Sequence, residues 1–88
     1  MKIKNGFILK DVAGSKIVIA TGSAKLDFNG VITFNDVGAD VFTMLDGTKT
    51  VADIVTQIAT DYGIDESTVK TDVEKLIEKM RKYNLIEE

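Results

Sequence analysis

The sequence contains no cysteine, no histidine, no proline and no tryptophan. Without cysteine and histidine the chain has no thiolate or imidazole to hold zinc, haem or an iron–sulfur cluster, and it lacks the commonest nucleophile and general base. Asp, Glu, Lys, Ser, Thr and Tyr remain, but no local spacing resembles a Ser-Lys site or a calcium-type loop; Lys25, Asp27 and Asn29 carry no such pattern. We therefore expect no catalytic residues, no cofactor and no metal. Without disulfides, stability must come from packing, which suits the cytoplasm, the expected location. No apolar run has the length of a signal peptide or of the roughly 20 residues that a membrane span needs, so no membrane partner is expected.

What is present suits one folded domain over residues 1–88. The chain is long enough for a single hydrophobic core and too short for two. Its 44% hydrophobic and 28% charged residues exceed what a disordered segment and an insoluble one, respectively, would carry. A formal net charge of −3 argues against a general nucleic-acid binder.

The first third of the chain has strand character. Phe7 to Val12 and Lys16 to Ala20 are β-rich runs flanking Ala13-Gly14-Ser15, which predicts a hairpin. After a polar, turn-prone stretch, Val31-Ile32-Thr33-Phe34 predicts a third, very short strand. Asn29-Gly30 is also a type I′ turn signal, which allows Leu26 to Phe28 to extend a second hairpin.

From Asn35 the period changes to about 3.6. Asn35 can cap a first helix with Val37, Val41, Phe42 and Leu45 on one face, ending at Asp46-Gly47. Thr50 and Asp53 form a capping-box start to a second helix with the stripe Ile54, Val55, Ile58 and Tyr62, and Gly63 stands where a left-handed cap is expected. Asp65 can cap a third, carrying Val69, Val73, Leu76, Ile77, Met80 and Tyr83. The fold class is α+β: three short N-terminal strands followed by three helices, compatible with a winged-helix-like arrangement.

Phe28 to Ala39, followed by Phe42 and Leu45, resembles the signature of the PqqD family, the pyrroloquinoline quinone biosynthesis protein D type. Thr50 to Ile54, Tyr62-Gly-Ile-Asp65, Asp72-Val73, Leu76, Met80 and Leu85-Ile86 continue the resemblance in register from about Gly6 to Ile86. It implies a peptide-recognition element that binds the leader segment of a ribosomally made precursor peptide and delivers it to a modifying enzyme, often a radical S-adenosylmethionine protein. The leader is held as an added strand on the third strand, beside the third helix. Carried onto this chain, the peptide-binding residues are Val31, Ile32, Thr33 and Phe34 on the strand, with Val69, Lys70, Val73, Leu76, Ile77, Met80 and Arg81 on the helix. The expected state is a monomer or a weak homodimer. The chain departs from the pattern in having Phe42 where many relatives carry Trp, which touches core detail more than function.

A short β-branched strand at a sheet edge exposes amides and carbonyls that another chain can satisfy. Against this, such a strand is more often internal or covered, and only the resemblance reverses those odds. Most of the third helix's stripe must be core. A helical wheel centres it on Val73, Leu76 and Met80, with Ile77, Lys70 and Arg81 on one margin and Tyr83, Lys79 and Asp72 on the other. Either margin could face a groove.

The basic residues Lys75, Lys79, Arg81 and Lys82 permit a rival reading, a small winged-helix DNA-binding regulator. A solvated face with Glu78–Lys82 and Glu74–Lys70 pairs is the plainer account, helped by the helix dipole. The first two helices carry Asp36, Asp40, Asp46, Asp53 and Asp61 against Lys49 alone, an acidic side. Gly38 inside the first helix costs about 1 kcal/mol relative to Ala, which a close approach of the third strand or second helix would offset.

Overall fold

The structure, a computed structural model, describes residues 1–22 and 30–88. Its elements are β1 (Lys2–Ile3), β2 (Phe7–Val12), β3 (Ser15–Ala20), β4 (Val31–Phe34), α1 (Asp36–Met44), α2 (Val51–Tyr62), α3 (Glu66–Lys82) and β5 (Ile86–Glu87). The three expected strands and three helices are present, so the α+β layout holds. The possible hairpin at Leu26 to Phe28 lies outside the described residues.

β2 and β3 form the expected hairpin, but its turn is only Ala13-Gly14, with Ser15 already paired to Val12. Both turn residues have positive φ, 52° and 84°, which matches the right-handed twist of a two-residue connection. β4 pairs antiparallel with β3 in the register Val18↔Ile32 and Lys16↔Phe34, giving the order β2-β3-β4. Alternation along β4 follows: Ile32 and Phe34 are buried, while Val31 and Thr33 are exposed.

Each helix begins where a side chain satisfies its orphan amides. Asn35 Oδ1 accepts from Gly38 N at 2.8 Å. Thr50 and Asp53 form the full capping box, each side chain accepting from the other's backbone at 3.1 Å. Asp65 accepts from Ser67 N at 3.1 Å. Gly63, at φ 63°, closes α2 as expected, and Asn84, at the same φ, ends α3 so that Leu85 N bonds back to Met80 O at 2.9 Å.

Two strands were not expected. β1 and β5 pair antiparallel through Lys2↔Glu87 and Ile3↔Ile86, joining the two ends of the chain. Ile3 N also bonds Leu45 O at 3.0 Å and Lys4 N bonds Leu85 O at 2.8 Å, which docks the pair onto the ends of α1 and α3. One apolar core unites the sheet and helices. Ile54, Ile58, Met80, Leu85, Val18, Val41 and Val73 are its fully buried members. Phe34 is buried in it, whereas Phe42, expected to be core, is half-buried at its border.

Candidate functional site

Among the described residues β4 is an edge: β3 pairs with one side of it and no strand pairs with the other. Its outward amides and carbonyls therefore form a row that an extended chain can join. Edge geometry and a four-residue length make β4 a short template, so a joining chain gains few backbone bonds and needs side-chain contacts to hold.

The floor for such contacts lies beside the end of β4. Asn35 and the first turn of α1 face α3 across a cleft of about 310 Å³. Val37, Ile58, Ile64, Val69 and Leu76 supply its apolar lining, Gly38 its backbone wall, and Asp72 its one ionisable group. Such a volume is at the small end of ligand sites, suited to side chains of a bound peptide more than to a whole small-molecule substrate.

The sequence-derived residues divide between this cleft, the core and the far side of α3. Leu76 and Val69 line the cleft. Val73, Ile77 and Met80 are core, with exposures of 1%, 3% and 0%. This corrects the helical wheel: Leu76, placed at the centre, is the half-buried rim residue, and Ile77, placed on a margin, is buried. α2 packs along α3 more extensively than any other helix and shares a groove with Lys70, two turns before Ile77, which accounts for the shift. Lys70 is not beside β4; it lines a separate groove of about 510 Å³ between the N-terminal halves of α2 and α3, with Val51, Val55 and Glu66. Arg81 is also elsewhere. Its Nε contacts Glu88 at 2.8 Å and its Nη1 contacts Glu78 at 3.6 Å, so Glu78 pairs with Arg81 and not with Lys82.

Sequence reasoning missed Asn35, Val37, Ile58, Ile64 and Asp72 as cleft residues. Periodicity assigned Asn35 to a cap, Val37 and Ile58 to stripes and Asp72 to a margin, but the convergence of α1, α2 and α3 at one end is a tertiary fact. The available signal was Ile64, an apolar residue placed between a helix cap and the next N-cap with no stripe to join.

The electrostatics around this end are negative. The Tyr62 hydroxyl donates to Asp40 Oδ2 at 2.5 Å. That bond, burial, and the charges of Asp40, Asp36 and Asp61 push its pKa up to about 12. Lys16 answers part of this charge, but its ammonium is bound to Asp11 at 2.6 Å. Its pKa is raised by that hydrogen bond first, with smaller contributions from Asp36 and Asp40. Among the described residues no group of acidic side chains is arranged to hold a metal ion, and no helix is long and apolar enough to cross a membrane.

Comparison with known proteins adds two findings. Residues 16–86 match the family described as coenzyme PQQ synthesis protein D (PqqD). A solved structure, "TbiB1 in Complex with the TbiA(beta) Leader Peptide", superposes with a TM-score of 0.77 at 20% identity, covering 99% of this chain and 95% of that one. No curated protein matches.

Proposed function

The chain belongs to the PqqD family, and on that premise we propose that it is a non-catalytic recognition domain for the leader segment of a ribosomally made precursor peptide. The leader joins β4 as an added strand, sets alternate side chains into the cleft against α3, and is presented to a modifying enzyme. A radical S-adenosylmethionine protein is the partner class that the family suggests, and the cytosol, where such precursors are made, is the compartment in which the chain would act.

The observation that carries this reading is the open edge of β4 beside an apolar cleft. Backbone pairing supplies affinity that tolerates sequence, and the cleft supplies selection, because residues on the added strand alternate between facing it and facing away. A similar fold has been solved with a leader peptide bound, which supports the same use here.

The test is binding of peptides to isotope-labelled protein, with Pro placed singly at Ile32 and Thr33. In an antiparallel strand these two amides point to opposite sides. One variant should keep the fold and lose peptide affinity, because Pro removes an outward donor; the other should disturb the β3–β4 ladder. If both variants fold and bind as the parent does, and amide shifts on adding peptide cluster away from Val31 to Phe34, strand addition is wrong.

A further inference from the structure

We propose that Asp72 makes the cleft selective for a leader segment in which a large apolar residue is accompanied, within one or two positions, by a lysine or arginine. This rests on the peptide-binding reading above and specifies the chemistry of its ligand.

The cleft's lining is apolar except at Asn35 and Asp72. Asn35 has its side-chain oxygen committed to the cap of α1, at 2.8 Å from Gly38 N. Asp72 is different. It is exposed, and among the described residues its carboxylate enters no hydrogen bond or ion pair. Lys75 and Lys79 lie three and seven positions further along the same side of α3, yet neither pairs with it. An acid at the mouth of an apolar cleft, with its pairing capacity unused, is placed to receive a cation from whatever enters.

The surroundings reinforce the sign. Asp36 directly follows Asn35, and Asp36, Asp40 and Asp61 together act on Tyr62, two residues before the lining residue Ile64. Lys16, the cation that feels Asp36 and Asp40, is held by Asp11. Lys75 and Lys79 line a different groove of α3 and not this cleft, so at the cleft an acidic leader residue would face Asp72 directly, while a basic one would be attracted and paired by it. Apolar contact and a cation from one short segment therefore fit this end of the molecule together. Strand alternation separates them: the apolar side chain enters the cleft, and a neighbour one or two positions away reaches its rim.

A displayed library of random twelve-residue peptides tests this, selected in parallel on the parent chain, Asp72→Asn, Asp72→Lys and Glu74→Gln. Glu74→Gln removes the same charge two residues away on the other side of α3 and controls for net charge. The parent and Glu74→Gln should enrich Leu, Ile, Phe or Met with Lys or Arg within two positions. Asp72→Asn should keep the apolar preference and lose the basic one, and Asp72→Lys should turn it acidic. For the best parent-selected peptide, replacing its basic residue with Ala should weaken binding to the parent about two- to fivefold and leave binding to Asp72→Asn unchanged.

Basic enrichment that survives Asp72→Asn, or that is lost equally in Glu74→Gln, overturns the assignment of Asp72. Peptides that shift the amides of Val31 to Phe34 but show no basic preference overturn this inference and leave strand addition standing. Peptides that bind without shifting those amides, or a selection that yields no binder, overturn both.

Discussion

A Cβ on Gly38 would sit 3.1 Å from both Cβ and Cδ1 of Phe34, so the first turn of α1 rests its bare backbone on the last side chain of β4. Phe34 also meets Phe42, one turn further along the same helix, whose ring centroid is 6.3 Å away at a tilt of 43°. This contact explains a glycine inside a helix, which costs about 1 kcal/mol relative to Ala. It also fixes α1 against the edge strand, and hence one wall of the cleft.

Gly38→Ala sets two effects against each other. Helix propensity favours it by about 1 kcal/mol, and crowding Phe34 in a packed setting opposes it by about 1–3 kcal/mol. Phe34 is only 6% exposed and packs against both Gly38 and Phe42, so crowding should win and the variant should unfold at lower denaturant. Adding Phe34→Leu should recover part of that loss relative to Phe34→Leu alone. A Gly38→Ala protein more stable than the parent would show that Phe34 yields freely.

Acid should destabilise the fold through specific carboxylates. Asp46 accepts from Thr48 Oγ1 at 2.6 Å, Thr48 N at 2.9 Å and Lys49 Nζ at 3.1 Å, and these bonds hold its pKa well below the usual carboxylate range. Asp65 is lowered by its bonds from the Ser67 hydroxyl and backbone N–H. A folded-state pKa below the unfolded value gives stability that is present above about pH 4 and lost as pH falls through the folded values. Tm should thus hold between pH 7 and 5 and drop below about 4. Asp46→Asn should lower Tm at pH 7 and flatten that acid limb, as read by thermal melts across pH; an unchanged limb in both Asp46→Asn and Asp65→Asn would assign the acid sensitivity elsewhere.

In alkali the sign reverses. Tyr62, pushed up to about 12 by Asp40, contributes stability that is complete below about pH 10 and lost as pH rises through about 12. In a Tyr83→Phe background, which leaves one tyrosine, tyrosinate absorbance should therefore show a midpoint near 12. Asp40→Asn should move it toward about 10. An unmoved midpoint would mean that the Tyr62–Asp40 bond does not persist in solution.

What could be read from sequence was what is local. The caps at Asn35, Thr50, Asp65 and Gly63 each depend on residues within a few positions, and all four form as read. β1 and β5 escaped because a two-residue strand has no periodicity and its partner lies more than 80 positions away. Phe34 and Phe42 were indistinguishable as core aromatics until the packing of α1 on β4 buried one and left the other at the border. For the site, the β-branched composition of Val31 to Thr33 allowed an edge, but only the strand order makes it one among the described residues. The order of α1, α2 and α3 carries no trace of the cleft that their meeting creates.

Leu76 and Ile77 provide the test of which flank of α3 meets the leader, since neighbouring residues of similar chemistry are assigned opposite roles. Ile77 is buried in the core, so Ile77→Ala should cost about 2–5 kcal/mol of stability by leaving a cavity, with peptide affinity preserved in the fraction that remains folded. Leu76 lines the cleft and is half-buried, so Leu76→Ala should cost only about 1 kcal/mol of stability. Its effect on a bound apolar side chain should be larger, about tenfold in affinity for the loss of roughly 1.4 kcal/mol of buried contact. Leu76→Lys should deepen that loss by placing a cation beside Asp72, which it would neutralise. Denaturant melts and titration with a library-selected peptide give both numbers for each variant. Should Ile77→Ala lose affinity while Leu76→Ala and Leu76→Lys bind as the parent does, the leader would have to lie on the flank of α3 that carries Lys70 and Arg81, and the cleft beside Asn35 would have no part in recognition.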